Sequence, residues 1–93
     1  MKFLVIGGGS IGKRHIRNLI TLGVETSNIV AIDTRDDRRI EVNELGIKNT
    51  FNNLKDALAK HKFDASIVCS PTSLHIPQGI ELANHGINIL MEK

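Results

Sequence analysis

Six residues, Gly7-Gly8-Gly9-Ser10-Ile11-Gly12, follow directly on the apolar run Phe3-Leu4-Val5-Ile6 and read G-x-G-x-x-G. Glycines at these intervals have a chemical use when a strand precedes them and a helix follows. Gly7 permits a tight turn, Gly9 lets the backbone approach a pyrophosphate with no side chain in the way, and Gly12 lets the helix pack close to the sheet. Free N–H groups where the helix starts, at Ser10 and Ile11, then bind the anion with the help of the helix dipole. Asp33 stands about 20 residues further on, at the end of a second apolar run. A carboxylate there accepts hydrogen bonds from an adenosine ribose and repels a 2′-phosphate. Together these residues point to a dinucleotide, with NAD ahead of NADP. Arg35 pulls the other way, because an arginine just past the strand can accept a 2′-phosphate or stack on adenine. A solvated strand-end carboxylate is the competing reading of Asp33.

Such a loop works only if strands and helices alternate around it, and the chain alternates throughout. Four runs read as strands, Lys2 to Ile6, Asn28 to Asp33, Asp64 to Ser70 and Gly86 to Met91, with a weaker fifth at Lys48 to Phe51. They are apolar on both faces, which suits parallel strands covered by helices. Helical spacing predicts segments over Ser10 to Leu22, Asp36 to Leu45, a third starting at the N-cap Asn53, and a fourth from the Ser73 region to His85. Their inward faces are expected to be Ile16, Leu19 and Ile20, then Leu54, Ala57 and Leu58, then Ile76, Ile80 and Ala83. Gly23, Gly46 and Gly86 stand where three of these helices should stop, and Pro77 must fall in a first turn. Strand-helix alternation with right-handed crossovers gives an α/β fold, a Rossmann-type doubly wound parallel sheet of about five strands and four helices.

In such sheets ligands lie beyond the carboxyl ends of the strands. Ser70-Pro71-Thr72 and Met91-Glu92-Lys93 should therefore face the same crevice as the glycine loop. The other chemistry-bearing residues read more plainly. His15 is expected at a helix-sheet junction, and His61 and His85 as dipole partners at helix C-termini. Arg14 and Arg17 read as a solvated basic face beside Lys13, and Cys69 as a core residue. No metal-ligand spacing is present. With 93 residues there is room for one domain, 12 Lys and Arg against 10 Asp and Glu leave a net charge of only +2, and Trp and Tyr are absent. That composition argues against nucleic acid as a partner. One cysteine and no long apolar run argue against a disulfide scaffold or a membrane span and for a cytoplasmic protein.

Three stretches, Gly-Gly-Gly-Ser-Ile-Gly-Lys-Arg-His at 7 to 15, Ser-Pro-Thr-Ser-Leu-His at 70 to 75, and Ala-Asn-His-Gly-Ile-Asn-Ile-Leu-Met-Glu-Lys at 83 to 93, share one further property. Together they resemble the N-terminal domain of the glucose-fructose oxidoreductase, inositol dehydrogenase and rhizopine catabolism (Gfo/Idh/MocA) family, over the whole chain. The resemblance implies a nicotinamide-dependent oxidoreductase acting on a sugar, cyclitol or sugar derivative, with NAD or NADP as cofactor. Lys93 would be the lysine of a Glu-Lys-Pro motif, beside the nicotinamide and the reacting carbon, with Glu92 supporting it. An ammonium there can stabilise the alkoxide while hydride passes to the cofactor. Ser70, Pro71 and Thr72 would wall the nicotinamide side. His75 matches the histidine the family often carries at the start of the next helix; contact with the cofactor and a simple hydrogen bond to a nearby loop backbone are the two readings of it here. On this reading residues 1–93 are a fragment lacking a C-terminal substrate and oligomerisation domain. It would be inactive alone and prone to self-association, whereas its parent would form a homo-oligomer. Two other functions fit the glycine loop and the acid: a non-catalytic nucleotide-sensing regulatory domain, and an S-adenosylmethionine-dependent methyltransferase. The first would not need Glu92-Lys93, and against the second the full G-x-G-x-x-G with a long first helix favours a pyrophosphate.

Overall fold

A computed structural model describes residues 1–91. The order of elements is β1 (Phe3–Ile6), α1 (Ser10–Thr21), a 3-10 turn (Thr26–Asn28), β2 (Ile29–Ile32), α2 (Asp36–Glu44), β3 (Asn49–Phe51), α3 (Leu54–Lys60), β4 (Ala65–Val68), a second 3-10 turn (Thr72–Leu74), α4 (His75–Asn84) and β5 (Asn88–Met91). All five strands pair in parallel in the order β3-β2-β1-β4-β5. The order reverses between β1 and β4, which makes that gap the switch point where the loops part and a ligand can enter.

Both faces of the sheet are covered over β1, β2 and β4, whereas on the edge strand β5 Leu90 is 54% and Ile89 37% exposed. On one face Leu4, Ile6, Val30, Ile32 and Val68 pack with Leu54, Ala57 and Leu82 from α3 and α4. On the other Val5, Ile29, Ala31 and Ile67 pack with Ile16, Leu19 and Val42 from α1 and α2. The Asn53 side chain accepts from the Asp56 N–H at 2.8 Å and caps α3, as its position implies. α1, α2 and α4 give way to the chain reversals at Gly23, Gly46 and Gly86, as expected.

One face departs from expectation. Ile76 is 74% and Ile80 58% exposed, and Ala83 is exposed too, whereas His75, Gly79 and Leu82 are buried. The two sets are offset by one residue along α4, so helical periodicity alone fits either. The choice is made at the helix start, where the His75 Nε2–H donates to the Ser70 carbonyl at 2.6 Å and holds that side chain inward. The rotation this imposes carries Ile76 and Ile80 outward.

His61 departs as well. Rather than acting as a charged partner for the end of α3, its Nδ1 accepts from the Lys2 ammonium at 2.7 Å, and its ring lies between those of Phe51 and Phe63. Burial, then the charges of Lys2 and Lys60, hold its imidazole below the ordinary histidine range. In the window between the depressed folded value and the ordinary one, the unfolded chain binds the extra proton, so folding stability falls as the pH falls. The slope for one proton is at most about 1.4 kcal/mol per pH unit. Urea unfolding across that window should show the loss in the wild type, and His61→Gln should flatten it. An equal slope in both proteins would remove His61 as its source. His85 behaves as expected, its Nδ1–H donating to the Glu81 carbonyl at 3.0 Å near the end of α4.

Candidate functional site

Backbone hydrogen bonds extend the ladder past the strand ends and bring four loops together. The Gly7 N–H donates to the Ile32 carbonyl at 2.7 Å, the Cys69 N–H to Ile6 at 2.7 Å, and the Asp33 N–H to Phe51 at 3.1 Å. The glycine loop is tight. Gly7 has φ +104°, and a Cβ there would stand 3.0 Å from the Cys69 carbonyl. At Gly12 the requirement is absolute, because a Cβ would stand 1.8 Å from the Gly7 oxygen. Gly9 caps α1 without a side-chain hydrogen bond, and no acid occupies the first turn. The leading N–H groups of α1, with Ser10 and Ile11 exposed at its start, thus form a cradle open to an anion.

Asp33 is not a solvated strand end. It is 9% exposed, its Oδ2 accepts from the Gly8 N–H at 2.7 Å and its Oδ1 from the Arg35 N–H at 2.9 Å. The carboxylate therefore ties the end of β2 to the glycine loop, and each oxygen keeps a second acceptor site for a hydroxyl. The Arg35 side chain turns to Asp37, Nε donating at 3.1 Å and Nη2 at 2.7 Å. That hydrogen bond and the charge behind it raise the guanidinium pKa and lower that of Asp37. The arginine that meets the carboxylate is Arg38, whose Nη1 lies 3.7 Å from Asp33 Oδ2. Its guanidinium also stands 3.6 Å from where a Cβ of Gly9 would be. Sequence reading missed Arg38. The available signal was that a helix starting at Asp36 turns residue 38 back over the preceding loop within its first turn.

A pocket of about 300 Å³ opens between these elements. Asp33, Arg35 and Arg38 form one wall, and Ser70, Pro71, Leu74 and Gln78 the other. Cys69, expected inside a strand, lies one residue past β4 and lines the same pocket half-buried. His75 is not on the lining; it is buried behind the loop and holds Ser70. Gln78, one helical turn further along α4, does line the pocket, and the Ser70 hydroxyl donates to its Oε1. Gln78 also escaped the sequence reading. Among the basic residues near α1, Lys13 pairs with Glu41 at 2.8 Å, and Arg14 and Arg17 are exposed as expected. The side chain of Thr72, together with Glu92 and Lys93, lies outside the described residues.

The glycine cradle and the acid at the end of β2 fit a dinucleotide, and the whole chain, residues 1–93, matches the Gfo/Idh/MocA model, described as an oxidoreductase family with an NAD-binding Rossmann fold. The chain belongs to this family. It is 30% identical to 4-carboxy-2-hydroxymuconate-6-semialdehyde dehydrogenase of a Sphingobium species, covering 99% of this chain and 29% of that enzyme. It is 29% identical to the NADP(+)-dependent scyllo-inositol 2-dehydrogenase IolU of Bacillus subtilis, covering 100% of this chain and 28% of the relative. The crystal structure of the WlbA dehydrogenase from Bordetella pertussis, in complex with NADH and UDP-GlcNAcA, superposes on it with a TM-score of 0.87. The identity is 28%, over 100% of this chain and 29% of that one. The chain thus spans less than a third of the length of these relatives. As a Gfo/Idh/MocA Rossmann domain it is the NAD-binding part of an oxidoreductase family, and the regulatory-sensor and methyltransferase readings have no support. No helix among the described residues is long and apolar enough to cross a membrane.

Proposed function

We propose that this chain holds the cofactor in a cytoplasmic, homo-oligomeric nicotinamide-dependent oxidoreductase acting on a sugar, cyclitol or sugar derivative, with NAD preferred to NADP. The observation that carries the reading is the joint geometry of loop and acid: Gly12 packed on Gly7, and Asp33 bonded to the loop through Gly8. Relatives named for scyllo-inositol, or solved with a nucleotide sugar, support the substrate class.

On this reading the N–H groups of Gly9, Ser10 and Ile11 hold the pyrophosphate, and the free acceptor sites of Asp33 take the adenosine ribose hydroxyls. A bound nicotinamide would supply the hydride acceptor or donor. Lys93 would stabilise the substrate alkoxide or take its hydroxyl proton at Nζ, with Glu92 supporting it, and His75 would act by holding the Ser70 loop in place. Residues that shape the substrate pocket are proposed to lie in a further domain, since the relatives are more than three times as long.

An amide NMR titration with NAD⁺ and then NADP⁺ tests the proposal. The amides of Gly7 to Gly12 and Asp33 should shift with both, and at lower concentration with NAD⁺. A dispersed spectrum in which neither nucleotide moves those amides would overturn it.

A further inference from the structure

The polar group on the α4 side of the pocket is unusually well fixed. His75 and Gln78 lie one turn apart on α4, and both are joined to Ser70, the first through the Ser70 carbonyl at 2.6 Å and the second through the Ser70 hydroxyl. The hydroxyl donates to Gln78 Oε1 and so holds the amide beside the Ser70 loop. That oxygen keeps a second lone pair, and Nε2 makes no hydrogen bond among the described residues. The pocket that Gln78 lines is mixed, with Ile6, Ile32, Pro71 and Leu74 as its larger apolar residues. Asp33 and Arg35 line the same pocket.

We propose that Gln78, positioned by Ser70, reads the adenine edge of the dinucleotide. This rests on the cofactor reading above and assigns the pocket to the base. If Asp33 takes the adenosine ribose, the base attached to that ribose enters the neighbouring slot, between the Arg35 side and the Pro71-Leu74 side. Ser70 and Pro71 then flank the adenosine rather than the nicotinamide. An amide is the side chain that matches adenine, because its carbonyl accepts from N6–H while its N–H donates to the adjacent ring nitrogen. A base carrying an oxygen in place of the amino group offers Oε1 a lone pair instead of a proton.

The test compares NAD⁺ with nicotinamide hypoxanthine dinucleotide, which carries a carbonyl in place of the adenine amino group and a hydrogen on the adjacent N1. Titration calorimetry on the wild-type chain should give roughly tenfold weaker binding of the hypoxanthine analogue. Gln78→Leu, at a half-buried position, should bind the two equally, and Ser70→Ala should give an intermediate ratio. A general structural role for Gln78 would weaken both dinucleotides together and leave the ratio unchanged, which would overturn the proposal. Equal binding of both by the wild type would overturn it too, while leaving the cofactor reading intact. Binding of neither by a folded chain would overturn the cofactor reading and this inference with it.

Discussion

Gly12→Ala is expected to abolish dinucleotide binding and to lower folding stability by about 3 kcal/mol or more. The added methyl would stand 1.8 Å from the Gly7 oxygen and 2.9 Å from its carbonyl carbon, both backbone atoms on the loop that begins the site. Neither neighbour can swing aside as a side chain would. Either α1 lifts from the sheet, disturbing Ile16 and Leu19 in the core, or the turn at Gly7 opens. Both routes disrupt the cradle. Gly9→Ala separates folding from binding. At Gly9 the backbone has φ −73°, a region open to any residue, and the atoms nearest a Cβ would be the movable end of Arg38, at 3.6 Å. Its cost to stability should stay under about 1 kcal/mol, the difference between glycine and alanine at a helix cap. Its dinucleotide affinity should nevertheless fall roughly tenfold or more, because the methyl would occupy the surface a pyrophosphate approaches. Thermal unfolding and calorimetry on the two variants provide the measurements. Comparable stability losses in both, or unchanged affinity in Gly9→Ala, would refute this division of roles.

The contrast between the two glycines also explains what could be read from the sequence. Spacing in the glycine loop is legible because the demand falls on the backbone: where a carbonyl sits 1.8 Å from a Cβ position, no other residue is compatible. The strands are legible for a similar reason, since a four-residue run such as Ile29–Ile32, buried throughout, has no polar face. Where two patterns fit one segment, legibility stops. α4 offers His75-Gly79-Leu82 and Ile76-Ile80-Ala83 at the same spacing, and a single hydrogen bond to Ser70 decides between them. Arg38 and Gln78 were hidden for a different reason. Each matters through what another element brings opposite it, Asp33 in one case and Ser70 in the other, and neither neighbour is fixed until the sheet forms. The roles of Glu92 and Lys93 rest on family resemblance, not on spacing.

Asp33→Asn should move cofactor preference toward NADP by roughly tenfold or more, at a cost of about 1–2 kcal/mol in stability. The stability cost follows from the two backbone N–H groups, of Gly8 and Arg35, that the carboxylate accepts. Asparagine has one acceptor oxygen, so one of those donors loses its partner, beside a carboxamide N–H₂ that needs one of its own. The shift in preference follows from charge. Removing the carboxylate removes its repulsion of a 2′-phosphate and releases the Arg38 guanidinium, now 3.7 Å from Oδ2, from the carboxylate it faces. An arginine so freed can grip a phosphate with two parallel N–H donors. The gain should therefore depend on Arg38, and the double variant Asp33→Asn, Arg38→Ala should lose most of it. Arg35→Ala in the same background should change little, because that guanidinium is already engaged by Asp37. Calorimetric titration of each variant with NAD⁺ and NADP⁺ gives the ratios directly. If the NADP gain survives loss of Arg38 and disappears with loss of Arg35, the two arginines have been assigned in the wrong order, and the adenosine wall is built around Arg35.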